Sequence, residues 1–205
     1  MPDVKHFDPD AVLETVAHLF WRLGVDSTGI QDVVAATGLN RSSLYATFGG
    51  KQELYLSALH RYLELRSRPM LRSLAGEGCG LETVAEFFSG LVEARCSGEY
   101  ARWGCMVSNA HLGAESSEPG VRAVLERHHR ELREAMHTAL AAAEEQGQLA
   151  AGVDPSAYAD VLVLLAYGIN LRSRAGAAAE TLHRAVEAAL APIAARSVAS
   201  SESGR

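Results

Sequence analysis

Small polar and basic side chains cluster between residues 41 and 51, and their chemical types suit contact with a nucleic acid. An arginine can pair with guanine or phosphate, and hydroxyl groups can reach phosphates and base edges. The methyl groups of alanine and threonine can pack on the thymine methyl. A lysine that opens a helix adds a cation to free N–H groups, which together can hold a phosphate. The candidates are Arg41, Ser42, Ser43, Tyr45, Ala46, Thr47 and Lys51.

The sequence around these residues predicts two short helices joined by a tight turn. Thr28 is a candidate cap for the first helix, and Asn40 is a good cap for the second. Gly38 suits the turn because glycine tolerates a positive φ. Leu44 and Phe48 lie four residues apart and are expected to face inward. This is the outline of a helix-turn-helix whose second helix enters the DNA major groove. A plain helical hairpin with a solvated polar helix is the alternative.

The segment from Val12 to Leu59 resembles the DNA-binding domain of TetR-family transcriptional regulators, which has three helices followed by a fourth that opens with lysine. The residues that carry the resemblance are Gly24, Val25, Gly38, Leu44, Tyr45, Phe48 and Lys51. The resemblance implies phosphate contacts from Thr28, Tyr45, Thr47 and Lys51. It places Arg41, Ser42, Ser43 and Ala46 nearest the bases.

Gly29 departs from this pattern, because the family more often has a serine there. A glycine in the first turn of a helix costs helix propensity. The departure is also expected to loosen one phosphate contact.

The charge of the chain is unevenly distributed along its 205 residues. The net charge is −6, and all of it lies after residue 72, since the first 72 residues carry eight basic and eight acidic side chains. This balance predicts weak non-specific DNA affinity and few phosphate contacts in each subunit. The polar N-terminus is unlike a signal peptide, so a cytoplasmic location is expected. Three cysteines are then expected to be reduced.

The remaining sequence shows helical periodicity and no clean alternation, which predicts an all-α fold. Predicted helices cover about 10–23, 51–68, 81–96, 102–113, 117–146, 155–174 and 177–196. Pro69 is expected to bend or end the fourth helix. The predicted division is a DNA-binding domain over residues 1–50, an effector-binding and dimerisation domain over 51–196, and a disordered tail over 197–205.

The last two predicted helices have the composition of a contact surface. The stretch 161–171 is apolar almost all the way round, which indicates burial on more than one side. Packing inside the monomer is the alternative. The family resemblance implies a homodimer formed by these two helices. A two-fold dimer presents two recognition helices to successive major grooves and therefore predicts a palindromic operator.

The resemblance also implies that a small molecule binds in the second domain and releases DNA. An apolar cavity with a few polar groups is the usual ligand site. Candidate lining residues are Phe87, Phe88, Leu91, Tyr100, Trp103, Met106, His111, His128, Tyr158, Tyr167 and Asn170. For each aromatic residue, ordinary core packing is the alternative. Like charges do not cluster among these residues, so an apolar or aromatic effector is expected.

Cys105 suggests a second mode of regulation. It lies in a Gly-Cys pair that resembles a motif in a subset of TetR regulators, some of which sense electrophiles or oxidants through a cysteine. Reactivity requires thiolate character and access. A buried, unreactive cysteine is the alternative.

Metal binding and catalysis have little support in the sequence. His128, His129 and His137 lack the i, i+4 spacing of helical metal ligands. The sequence contains no nucleophile elbow and no cofactor fingerprint, so neither an enzyme nor a cofactor is predicted. The main hypothesis is a ligand-responsive repressor. A thiol-switched regulator is one alternative, and a helical ligand-binding protein or enzyme that does not use its DNA-binding head is another.

Overall fold

The computed structural model describes residues 7–195, and helices joined by turns make up this part of the chain. The helices are α1 (Pro9–Leu23), α2 (Ile30–Thr37), α3 (Arg41–Phe48), α4 (Lys51–Tyr62), α5 (Arg68–Leu74), α6 (Leu81–Cys96), α7 (Met106–Ala110), α8 (Pro119–Glu145), α9 (Pro155–Arg174) and α10 (Ala179–Leu190). The predicted all-α fold class is confirmed. The predicted tail, residues 197–205, lies outside the described residues. Between residues 7 and 195, no helix is both long and apolar enough to cross a membrane.

Helices α1 to α4 form the N-terminal head. Asp8 caps α1 by accepting a 2.9 Å hydrogen bond from the backbone N–H of Asp10, and Pro9 occupies the first turn, where its missing N–H costs nothing. The inner face of α1 packs against α4, and an ion pair of 3.1 Å joins Arg61 to Asp10 at its edge. The head core continues into α7 and the start of α8 through Met106 and other buried side chains. The division at residue 50 therefore stays a prediction.

Helix α2 begins differently from the prediction. Gly29, not Thr28, is the N-cap residue, and its backbone N–H donates to the Asp32 carboxylate at 2.7 Å. Gly29 is extended, with φ −79° and ψ 162°, so it lies outside the helix and its low helix propensity does not matter. The Thr28 hydroxyl donates instead to the carbonyl of Gly24 at 2.7 Å.

Helices α4 and α5 are connected without a break by a π-helical turn, Leu63–Ser67. Pro69 was predicted to bend or end this helix; the helical path does not end there but continues to Leu74, and the bend stays a prediction. Proline has no N–H group and cannot donate to the carbonyl four residues earlier. The wider π-helical turn accommodates Pro69 without ending the helical path, and in this turn the Arg68 N–H donates to the carbonyl of Leu63, five residues earlier.

A second core fills the space between α6, α8, α9 and α10. Its fully buried members include Phe88, Met136, Leu162 and Ile169. The 27-residue helix α8 spans about 40 Å and packs along α9, so it joins this core to the head.

Two predicted helices were too long. The chain between α6 and α7 is not helical, because Arg102 and Gly104 have φ values of 64° and 68°. Helix α10 ends at Leu190, close before Pro192, and the next residues pair with the turn after α8 through an isolated bridge between Leu149 and Ala194.

Candidate DNA-reading face and central cavity

Helix α3 presents the predicted DNA-contacting side chains on the outside of the head. Asn40 caps it by accepting a 2.8 Å hydrogen bond from the backbone N–H of Ser43, and Leu44 is fully buried beneath it. These two contacts fix which side of the helix faces out. Arg41, Ser42 and Ala46 are exposed, whereas Ser43, Tyr45, Thr47 and Lys51 are half-buried.

A cation–π contact joins two of the side chains on this face, Arg41 and Tyr45. The guanidinium carbon of Arg41 lies 5.0 Å from the centroid of the Tyr45 ring, one helical turn away. A cation over an aromatic ring is attracted by about 0.5–1 kcal/mol at an exposed site. Helix α4 begins at Lys51 with no side-chain cap. Its first N–H groups therefore remain available for an anion.

Thr28 does not share this face. Its side chain is fully buried, and its hydroxyl is bonded to Gly24. A phosphate contact from this hydroxyl would require that hydrogen bond to break, so the roles predicted for Thr28 as cap and as phosphate ligand do not fit the structure.

The second candidate site is a cavity of about 310 Å³ between the head and the second core. Every helix from α4 to α9 contributes to its wall, as do the π-helical turn and Trp21 of α1. Much of the wall is apolar. Six of the predicted residues line it, together with Cys105: Phe87, Leu91, Tyr100, His128, Tyr167 and Asn170.

The other five predicted residues lie elsewhere because core packing or a backbone contact holds them. Phe88 and Met106 are buried in the second core and the head core, respectively. Trp103 packs edge-on against Trp21. His111 faces a separate cavity, and Tyr158 donates to the carbonyl of Ala189 at 3.1 Å.

Sequence reasoning missed Arg95, Arg66 and Tyr62, which also line the cavity. Arg95 is only 8% exposed. Its position could have been found, because Phe87, Leu91 and Arg95 are spaced four residues apart and share one face of α6. The two arginines correct the expectation that like charges do not converge at the site.

His128 is a neutral polar group in the same wall. Its Nε2 lies 2.7 Å from the Ser67 hydroxyl, whereas its Nδ1 is buried and finds no hydrogen-bond partner among the described residues. Burial lowers the pKa of His128 to about 4, and the neighbouring His111 and His129 act in the same direction. Burial also raises the pKa of Tyr167 to about 12, and its hydroxyl likewise lacks a partner.

Cys105 is buried at the head side of the cavity. The hydroxyl of Tyr62 donates to its sulfur at 3.4 Å, and the sulfur is 43 residues along the chain from that tyrosine. The Cys105 thiol therefore borders the space that a ligand would occupy. Its reactivity stays a prediction.

Two family models match the two halves of this architecture. The model described as bacterial regulatory proteins, tetR family, matches residues 12–58. The model described as tetracyclin repressor-like, C-terminal domain, matches residues 80–189, which is more than half of the chain. The chain belongs to the TetR family. It is a transcriptional regulator of the helix-turn-helix type.

Individual relatives agree with this family. YezE, an uncharacterized HTH-type transcriptional regulator of Bacillus subtilis strain 168, is 31% identical over 71% of this chain and 74% of its own. ComR, an HTH-type transcriptional repressor of Escherichia coli K12, is 26% identical over 87% and 85%. The solved structure of a cysteine-substituted TetR family regulator, CifR, with 26-bp double-strand operator DNA is 28% identical and has a TM-score of 0.81, covering 91% of this chain and 97% of that one.

The buried His128 predicts a pH dependence of stability in this TetR-family chain. In the unfolded chain its pKa is about 6.5, so between about pH 4 and 6.5 the unfolded state binds more protons than the folded state. The contribution of His128 to the free energy of unfolding is then fully present above pH 6.5 and falls by roughly 3 kcal/mol as the pH approaches 4. Urea denaturation at several pH values, at one protein concentration, measures this loss.

The matched comparison is between two histidine variants on α8. His128→Gln is expected to make the dependence shallower across this window by removing the contribution of His128, whereas His137→Gln keeps His128 and is expected to follow the wild type. Parallel curves for the wild type and His128→Gln would contradict the assignment.

Proposed function

We propose that this protein is a repressor that binds a palindromic operator as a homodimer and releases it when a small molecule enters the central cavity. The observation that carries the proposal is the composition of the cavity wall. Trp21 belongs to the head, and Tyr62 ends the helix that follows the recognition unit. An occupant of the cavity therefore touches the DNA-binding head directly.

The coupling follows from these shared residues. A ligand that pushes on Trp21 or on the π-helical turn changes the preferred angle of the head, and so the separation of the two recognition helices in a dimer. Those helices must reach grooves about 34–36 Å apart. A ligand needs only a differential affinity of about 1–3 kcal/mol for the two states to shift binding measurably.

The proposed dimer surface is one face of α9. Val161, Leu164 and Leu171 are 47%, 68% and 48% exposed, which is unusual for large apolar side chains on a single helix. Gly168 falls between them and allows a close helix approach. Their spacing of three or seven residues forms one stripe. A second copy of this stripe would cover it by two-fold symmetry.

For the DNA-reading face we propose that Arg41 reads bases and that Tyr45 and Lys51 bind phosphates. Arg41→Ala is expected to cost about 1–3 kcal/mol and to relax preference at one base position. Lys51→Ala is expected to weaken binding to all sequences and to reduce the salt slope by about one. Because Tyr45 also supports Arg41, Tyr45→Phe is the variant that removes only its hydroxyl. Selection of bound genomic fragments followed by salt titration measures each effect.

The exposed neighbour Gln52 provides the control, since Gln52→Ala is expected to bind as the wild type does. Equal loss of base preference in all three test variants would refute this division of roles. A wild-type protein that selects no fragment and shows no salt-dependent affinity would support the alternative in which the head is not used.

The dimer proposal predicts a change in oligomeric state. Leu164→Arg places a charge in the centre of the proposed apolar interface and is expected to give monomers, because an unpaired buried charge is strongly unfavourable. Sedimentation equilibrium measures the mass of each variant. Leu23→Glu, at a 43% exposed leucine of α1, is the control and should leave the dimer intact. A dimeric Leu164→Arg protein would place the interface elsewhere.

A second candidate function is regulation through Cys105, which is favoured by its position in the cavity wall and its contact with the Tyr62 hydroxyl. If Cys105 is a switch, it should be trapped by iodoacetamide at neutral pH faster than free cysteine, and Cys105→Ser should retain DNA binding but lose its response to oxidants. Mass spectrometry of the labelled peptide distinguishes it from Cys79 and Cys96. Labelling no faster than free cysteine would leave ligand occupancy as the only switch.

A further inference from the structure

We propose that the cavity binds an organic anion, namely a monocarboxylate with a small apolar or aromatic body, and that Arg95 receives its carboxylate. This inference rests on the proposed ligand-responsive function and specifies its ligand class. It also replaces the earlier expectation of an apolar effector.

Arg95 carries a buried positive charge for which residues 7–195 supply no counter-ion. Its Nε donates to the Asn170 side-chain oxygen at 2.7 Å, and one Nη donates to the Tyr62 hydroxyl at 3.4 Å. The guanidinium carbon lies 5.7 Å from the ring centroid of Trp21. Over residues 7–195, no carboxylate comes within ion-pairing distance of Arg95, and the other Nη has no protein acceptor. Burial of such a charge is costly unless an anion compensates it.

The geometry around Arg95 is fixed before any ligand enters. The Asn170 amide N–H₂ donates to the carbonyl of Ala166 at 2.9 Å, which directs the Asn170 oxygen towards Arg95. Both groups lie in the wall of the cavity. A guanidinium held in one orientation presents a planar pair of donors, which matches the two oxygens of a carboxylate.

The rest of the wall adds to the positive charge and does not cancel it. Within the described part of the chain, nineteen residues line the cavity, and they include two arginines, Arg66 and Arg95, and no aspartate or glutamate. The guanidinium carbon of Arg66 lies 4.7 Å from the ring centroid of Tyr100, so an aromatic contact rather than an ion pair holds it. The third basic side chain in the wall, His128, is neutral at pH 7 because burial lowers its pKa to about 4. The cavity is therefore cationic.

The size and remaining surface of the cavity restrict what is attached to the anion. A volume of about 310 Å³ corresponds to roughly ten waters at about 30 Å³ each, so a ligand of around ten non-hydrogen atoms fits. Leu65, Met70, Phe87, Leu91 and Leu132 supply an apolar lining. This combination favours one carboxylate on a compact apolar body, because the planar fork of Arg95 matches the two oxygens of a single carboxylate.

The test compares acids with their own neutral amides, which have nearly the same shape. The probes are 3-phenylpropanoate and octanoate, each paired with its primary amide, and binding to the full-length protein is measured by calorimetry without DNA. At least one acid is expected to bind at least tenfold more tightly than its amide, since hydrogen bonds to a charged partner are the stronger ones. Arg95→Gln is expected to abolish that preference and to leave amide affinity unchanged.

Two further variants separate a charge effect from a folding effect. Arg95→Lys keeps the charge but loses the planar fork, so a reduced acid preference should remain. Arg22→Gln is the matched control, because Arg22 is exposed and its guanidinium stacks at 6.0 Å on Trp103, outside the cavity wall. It should leave the preference unchanged.

The inference is overturned if no acid is preferred over its amide by the wild type, or if Arg95→Gln keeps the preference. If Arg95→Gln does not fold, the wild-type comparison of acid with amide decides alone. Because these measurements contain no DNA, a failed operator selection would overturn the proposed function and leave the ligand chemistry standing. Normal DNA binding with no acid preference would overturn only the ligand class.

Discussion

The position of the whole head depends on the burial of one indole ring. Trp21 is 2% exposed, and its Nε1 donates to the carbonyl of Gly104 at 3.0 Å. Its ring stacks on Tyr100 with centroids 5.1 Å apart and meets Tyr62 edge-on at 5.0 Å. Aromatic pairs of this kind contribute about 0.5–1.5 kcal/mol each beyond the area they bury. The indole thereby fixes α1 against α4 and against the loop before α7.

The loop that receives this indole tolerates little variation. Gly104 has φ +68°, and a Cβ atom there would lie 2.9 Å from the Asn109 side-chain oxygen and 3.0 Å from the carbonyl of Asn170. The end of α9 secures the same region, since Arg174 donates to the carbonyl of Trp103 at 2.8 Å and to that of Trp21 at 3.4 Å. The helix with the proposed dimer face is therefore bonded directly to the DNA-binding head.

The parts that the sequence predicted well are those decided by neighbours along the chain. The cap Asn40 and the start of a helix at residue 155 were predicted. In the structure Asn40 and Asp154 cap α3 and α9 through nearby backbone N–H groups, and Pro155 lies in the first turn of α9. The roles on α3 and in the cavity remain predictions. Thr28 was misjudged because its hydroxyl had two possible partners, and only the fold decides between them. Arg95 was overlooked because a basic residue in the last turn of a helix usually faces solvent, whereas here α9 covers it.

The π-helical turn changes the register of the helical path that leads from the recognition unit through α4 and α5 to the cavity. One extra residue in a helix shifts every later side chain by about 100° around the axis. Leu54 and Ala58, before the turn, thus face the head core, while Leu71 and Leu74, after it, face the second core. If the turn changed to regular α-helix, the side chains before it could pack in the head core and those after it in the second core only if the head rotated about this axis. The cavity borders the turn, so a local change of helical winding there would be passed to the orientation of the recognition helix.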